Sequence, residues 1–261
     1  MGMEPQTLFS VWLFLLGSAL GSFLNVVVYR LPRGESIHSP ASHCPNCNKP
    51  LKPYDNIPIL SWLMLGAKCR NCKEPISIRY PLVEFMVAVW FVWMFQLFGL
   101  SWEFANFAIL GVLLLTVSIV DIDTQLIPDS VLIVGAIIGL AFAFYGDVIS
   151  ISDSLTGGAA MGGTFFLIAL IGEKVMKKES MGFGDVKLSL MIGLFIGWKM
   201  AFLAIFLSSI FASVIGLAAI GLGKMKFGKP FAFGPFIALG ALVSGIWGDR
   251  LVNAYLRWAF V

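Results

Sequence analysis

The chain has 261 residues, of which 58% are hydrophobic and only 13% charged, and its mean hydropathy is +0.88. A soluble domain carries about 25% charged residues, so an ordinary soluble enzyme is excluded and a polytopic membrane protein is indicated. The net charge of +3 excludes little as a total, because in such a chain the placement of Lys and Arg carries the information.

Apolar stretches of spanning length fall at 7–28, 81–99, 104–120, 129–146, 155–172, 186–199, 201–222 and 231–248, given about 20 residues per span and fewer where a helix is packed among others. The expected fold class is therefore all-α and polytopic, with about eight transmembrane helices. The stretch 186–199 is the shortest and fits a bilayer only if other helices or water shelter its ends. Glycines such as those of LTGGAAMGGTF, 155–165, point to close helix packing.

No Lys or Arg precedes the first helix, whereas YRLPRGES follows it; a cleaved signal peptide has the opposite order of charge. The first helix is thus expected to insert with its N-terminus outside, and alternation puts the connections 29–80, 121–128, 173–185 and 223–230 on the cytoplasmic side. With Lys187, these hold fifteen of the eighteen Lys and Arg residues. The chain divides into the first helix (1–28), a cytoplasmic loop (29–80) and the remaining membrane-embedded helices (81–261).

All four cysteines lie in that loop, as HCPNC and KCRNC, giving Cys44, Cys47, Cys69 and Cys72. Two Cys-x-x-Cys turns can present four thiolates to one tetrahedral ion, and zinc is the usual occupant. Four thiolates leave no open position for water, so the metal is expected to be structural; iron on the same ligands is the alternative.

Further along, VSIVDIDTQLIPDSVLIV (117–134) carries Asp121, Asp123 and Asp129, and ESMGFGDVKLSLMIGLFIG (179–197) carries Asp185. The helix count puts both clusters on the cytoplasmic face. Asp129 follows Pro128 and is accounted for as a cap of the next helix. Asp123 lies beyond the apolar run and is expected to be solvated. Asp121 continues directly from LLLTVSIV and is the acid expected at the membrane boundary. Asp185 could be a helix cap too, but the glycines of GFGD would let a substrate backbone approach closely.

Two carboxylates within a few ångströms in a poorly solvated site share one proton. Such a pair can hydrolyse a peptide bond, one carboxylate activating water while the protonated partner supports the oxyanion and the leaving amine. Other catalytic signatures are missing: no Gly-x-Ser-x-Gly elbow and no His-Glu-x-x-His helix occur, and His38 and His43 both lie in the first loop. An ion- or proton-coupled transporter is the alternative use of membrane acids, although acids at one face rather than at midplane count against it.

Taken together these residues resemble the type IV prepilin peptidase family. The likeness runs through GSFLNVVVYRLPRGES (21–36), the two Cys pairs, SIRYPLVE (77–84), DIDTQLIPD (121–129) and GFGDVK (182–187). It implies catalytic roles for Asp121 and Asp185, aspartyl peptidase chemistry in helices 81–261, eight helices, and a bacterial inner-membrane location with the active site facing the cytoplasm. It further implies prepilin or pseudopilin substrates with a short basic leader, and methylation of the new N-terminus with S-adenosylmethionine as donor. Arg79, Tyr80 and Glu84 are the expected contributors to the donor site; Glu84 has the alternative of capping or pairing with Arg79. The partners expected are the pilin precursors and the lipid bilayer, with no nucleic acid.

Overall fold

A computed structural model describes residues 5–146, 148–177, 181–223 and 232–259. The expected connection 223–230 thus lies, except for Gly223, outside the described residues, as do 178–180 of the connection 173–185. The described helices are α1 (Pro5–Arg30), α2 (Leu60–Met64), α3 (Arg79–Phe98), α4 (Trp102–Thr124), α5 (Asp129–Tyr145), α6 (Ile151–Met176), α7 (Phe183–Gly221) and α8 (Gly234–Ala259), and no strand is formed among the described residues. Six of them are long and apolar enough to cross a membrane; α5, at 17 residues, is a shorter apolar helix.

The 39 residues of α7 amount to about 58 Å at 1.5 Å per residue, roughly two bilayer cores. Gly197 breaks it, with φ 73 and ψ 172, a conformation open to glycine and costly for other residues. The expected helices 186–199 and 201–222 are therefore the two halves of α7, and with α5 the described residues hold the eight expected apolar helical pieces. α8 runs past the expected end at 248 because polar residues such as Asp249, Asn253 and Arg257 alternate with Leu251, Tyr255 and Trp258 on an exposed continuation of the helix.

The chain forms two compact units, Met1–Phe104 and Ala105–Val261. In the first, α1 and α3 pack antiparallel. A Cβ on Gly17 would lie 2.8 Å from the Cα of Ala88, and one on Gly21 would lie 2.6 Å from the Cα of Glu84. The GSALG spacing, 17–21, thus puts two side-chain-free positions one turn apart on the contact face. Further along, Asn25 Nδ2 donates to the Tyr80 carbonyl at 3.1 Å.

Between these helices the loop is nearly without a core: of residues 31–78 only Cys44 and Cys69 are buried. Its order comes from polar contacts. Arg30, at the end of α1, donates to the carbonyls of Ser36 at 3.0 Å and Pro40 at 2.7 Å. Arg70 grips Asp55 with Nε at 3.0 Å and Nη2 at 2.6 Å from Oδ1.

In the second unit α7 packs on α5, α6 and α8. Its first half is buried on most sides, through Leu188, Met191, Ile192, Leu194, Phe195 and Ile196, which is how so short a piece is sheltered. Gly157 of α6 and Gly193 of α7 meet backbone to backbone. The break at Gly197 removes preceding carbonyls from the helical ladder, and in a dry interior they need other donors. Ser154 Oγ donates to the Leu194 carbonyl at 2.7 Å, and Asn106 Nδ2 lies 3.5 Å from that of Phe195. On the far side Ser244 Oγ donates to the Met200 carbonyl at 2.6 Å.

Candidate active site

Asp121 stands in the last turn of α4, only 5% exposed. The helix ends shortly after it, where Gln125 takes φ 55 and Pro128 precedes α5. A buried carboxylate needs hydrogen-bond donors, and Asp121 Oδ2 receives one from the backbone N–H of Gly234 at 2.9 Å. Gly234 is the first residue of α8, so its amide has no partner within its own helix and points a donor at the acid. The approach is close: a Cβ at Gly234 would lie 2.7 Å from that oxygen.

Asp185 occupies the first turn of α7, half-buried, with its amide donating to the Gly182 carbonyl at 3.1 Å. Gly184 lets this turn close on the chain before α5, since its Cβ would come within 3.1 Å of Ile127. Asp121 and Asp185 are near enough for the charge of one to act on the other. The acids separated by 64 positions in sequence therefore share a locality built from the ends of α4, α7 and α8.

The other acids differ from expectation in one respect. Asp129 is not a cap: Pro128 holds the N-cap position and no side chain caps α5. Instead both oxygens of Asp129 accept from Lys187 Nζ at 2.8 Å, because two residues past Asp185 a lysine is turned toward the start of α5. This pair ties the beginnings of α5 and α7 together. Nor does Asp185 cap its own helix, whose N-cap position is held by Gly182 without a side-chain cap. Asp123 is exposed, as expected.

The four cysteine Sγ atoms lie within 4.8 Å of one another, and those of Cys44 and Cys72 are 3.8 Å apart. Ligands at about 2.3 Å from a tetrahedral zinc stand about 3.8 Å apart, so the donor set fits such an ion. Two similar turns build the cluster. In the first the Cys44 amide donates to Lys49 and the Asn48 amide to Cys44; in the second the Cys69 amide donates to Glu74 and the Lys73 amide to Cys69, all at 2.8–3.0 Å. Asn48 and Lys73 both take positive φ, 55 and 63. Amides of Cys72 and Asn71 lower the pKa of the Cys69 thiol, while burial and the neighbouring thiols raise that of Cys72, as expected of crowded thiols that must lose protons together to hold a metal.

Glu84 is 8% exposed and accepts from the Ile59 amide at 2.7 Å. Ile59 has φ 63 and ψ −51, an unfavourable conformation for a β-branched residue, and the Glu84 carboxylate secures it. This contact secures the start of α2, and Glu84 also has a side-chain hydrogen bond with Ser22 of α1. A cavity of about 410 Å³ is lined by Tyr80 and Glu84 together with Arg30, Cys44, Trp62 and Arg70. Arg79 is not among the lining residues. The cavity falls in the range of about 300–1,000 Å³ typical of small-molecule sites.

Sequence reasoning passed over Gly234, which among the described residues is the backbone donor on Asp121. Its signal was the Gly-Pro pair at 234–235, a helix-start signature placed at the edge of an apolar run. Lys187 was noticed for its charge but not for its partner.

Two family models match the chain: the bacterial peptidase A24 N-terminal domain over residues 15–98 and the type IV leader peptidase family over 108–217. Among curated proteins, a prepilin leader peptidase/N-methyltransferase of Stutzerimonas stutzeri is 35% identical, with 94% of this chain and 93% of the relative covered. Similarly named proteins of Pseudomonas aeruginosa and Aeromonas hydrophila are 35% and 34% identical; they cover 94% and 97% of this chain, and 92% and 95% of the relatives. No solved structure matches. The chain belongs to the type IV leader peptidase family.

Proposed function

We propose that this protein cleaves the leader from type IV prepilins or pseudopilins and methylates the new N-terminus, with Asp121 and Asp185 as the peptidase dyad. The observation that carries the reading is that these two carboxylates, at helix ends, lie near enough to interact electrostatically in a chain whose relatives bear the name prepilin leader peptidase/N-methyltransferase. The transporter alternative has no comparable support, since both acids lie at helix ends and the relatives carry enzyme names.

In the peptidase step one carboxylate takes a proton from water as the oxygen attacks the scissile carbonyl. The protonated carboxyl donates to the developing oxyanion; the carbon–nitrogen bond then breaks and the leaving amine takes a proton from the dyad. The Gly234 amide fixes Asp121 throughout, and the Lys187–Asp129 pair fixes the turn that bears Asp185. No covalent intermediate is required.

For the second activity, S-adenosylmethionine supplies an electrophilic methyl group. The 410 Å³ cavity is the place in residues 5–104 suited to it, with aromatic rings of Tyr29, Trp62 and Tyr80 on its walls for an adenine. Methyl transfer chiefly needs the neutral amine aligned with the methyl carbon, so these residues bind and orient rather than react. Cys44, Cys47, Cys69 and Cys72 would hold a zinc ion that orders residues 29–80, while residues 81–261 supply the peptidase helices.

The concentration of Lys and Arg in the connections 29–80 and 173–185 supports a bacterial inner-membrane orientation with the dyad facing the cytoplasm. Cysteines introduced at Lys177 and Ser150, with the native four replaced, should be labelled from the cytoplasm and from outside respectively. The reverse pattern would part the acids from a cytoplasmic leader. The function itself is tested by incubating purified protein with a prepilin and S-adenosylmethionine and reading masses: loss of the leader and gain of one methyl group are expected. An intact prepilin would end the reading.

A further inference from the structure

Arg30 is the one buried basic side chain among the described residues, 6% exposed. A guanidinium has five N–H donors, and here two of its nitrogens meet the neutral carbonyls of Ser36 and Pro40. No carboxylate pairs with it among the described residues. The end of α1 offers it partial negative charge, which is less than a buried cation requires. The loop's other cavity-lining arginine, Arg70, is by contrast fully matched by Asp55.

Arg30 also lies where an anion could reach it. It lines both the 410 Å³ cavity and a second one of about 320 Å³, and Ser22, Val26, Ser42 and Asn56 border both as well. The other buried charge of the first cavity, Glu84, faces α1 at Gly21, nine residues before Arg30. That register sets the backbones of the two residues about 13 Å apart along the α1 axis. Arg30 borders the second cavity, which Glu84 does not, and the Glu84 carboxylate is already engaged by Ile59.

We propose that Arg30 anchors the carboxylate of the methyl donor, at the wall the two cavities share. This rests on the reading that the donor binds in this cavity. The donor's amino-acid tail carries the one carboxylate that a buried guanidinium would read by charge-assisted hydrogen bonds, leaving the nucleoside for the aromatic walls.

Binding, rather than turnover, tests the proposal. The full-length, metal-loaded protein in an uncharged detergent is titrated calorimetrically with S-adenosylhomocysteine, which keeps the carboxylate, and with 5′-methylthioadenosine, which lacks the amino-acid tail. The native protein should prefer the first. Arg30→Gln should weaken S-adenosylhomocysteine by roughly tenfold to a hundredfold, the range of a hydrogen bond to a charged group, while 5′-methylthioadenosine and metal content stay unchanged; Arg30→Lys should recover part of the loss. Equal weakening of both ligands, or none, would overturn the proposal. Should Arg30→Gln not fold, the carboxamide of S-adenosylhomocysteine makes the test on the native protein: an amide that binds as tightly as the acid sinks the idea. If the native protein binds neither nucleoside yet methylates a pilin, the donor cavity itself has been misplaced and this proposal falls with it.

Discussion

The cysteine loop and the aspartate site are held together in opposite ways. In residues 31–78 only two cysteines are buried, so local turns and a thiolate cluster take the place of a core. Around Asp121 and Asp185 the order comes from helices packed over long sequence separations, and the acids are fixed by a backbone amide and a turn. The contrast teaches that the loop's order is chemical and removable, whereas the aspartate site's order is mechanical. A metal held by the four cysteines could be withdrawn from one; only a change of side chain or backbone disturbs the other.

The sharpest way to break this contrast is to replace an acid. If the two acids share a proton as proposed, Asp121→Asn and Asp185→Asn should each lower leader cleavage by about 100- to 10,000-fold, the span of general acid–base catalysis, with the protein still folded. Asp185→Asn should meanwhile continue to methylate a pilin that has already been cleaved. Cleavage by Asp121→Asn near the native rate, read by the mass of the product, would remove the dyad.

Metal removal should act on the other region. About one zinc per chain is expected by elemental analysis, as two Cys-x-x-Cys turns closing one tetrahedral site require. Chelation, or Cys44→Ser with Cys69→Ser, should abolish the slow hydrogen exchange of the amides of Asn48 and Lys73 and end methylation, because the loop has almost no buried apolar surface to keep it folded. Unchanged exchange after complete loss of metal would show that the Arg30 and Arg70 contacts suffice.

A smaller effect is expected from Gly234→Ala. The added methyl would stand 2.7 Å from Asp121 Oδ2, so the carboxylate or the start of α8 must move. A displacement of about 1 Å near a reacting centre can cost roughly a hundredfold in rate. Cleavage should drop while the thermal transition hardly shifts; an undiminished rate would mean that the amide contact does not position Asp121.

The least effect belongs to the Arg70–Asp55 clamp of the loop. Arg70 beside Asp55 holds that carboxyl below its ordinary range, chiefly through their hydrogen bonds. A carboxyl so lowered adds stability above its unfolded pKa and loses it as pH falls through the folded value. Asp55→Asn should therefore cost a little thermal stability near neutrality, and the difference from the native protein should vanish in acid. Since Arg70 is 46% exposed, solvent screening keeps the effect small. A difference that persists at low pH would assign the loss to packing.

The sequence by itself determined whatever depends on local pattern or on membrane thickness. Hydropathy located the helices, since a bilayer demands a run of apolar residues for each crossing, and spacing identified Cys44, Cys47, Cys69 and Cys72, since each thiol pair is formed within one turn. Asp121 and Asp185 could be placed on one face by counting helices and by family motif. Only the tertiary structure decided what meets what. The sequence already parted 186–199 from 201–222, but only the structure puts the break at Gly197, inside the stretch expected to be helical, and keeps both halves in one continuous α7. Asp129 reads as a cap until Lys187, 58 positions later, arrives beside it. Gly234 donates to Asp121 across 113 positions, and Glu84 secures Ile59 across 25. Hydrogen bonds between distant backbone and side-chain atoms leave no periodic trace in sequence, because their partners are chosen by how helices pack and not by what lies next along the chain.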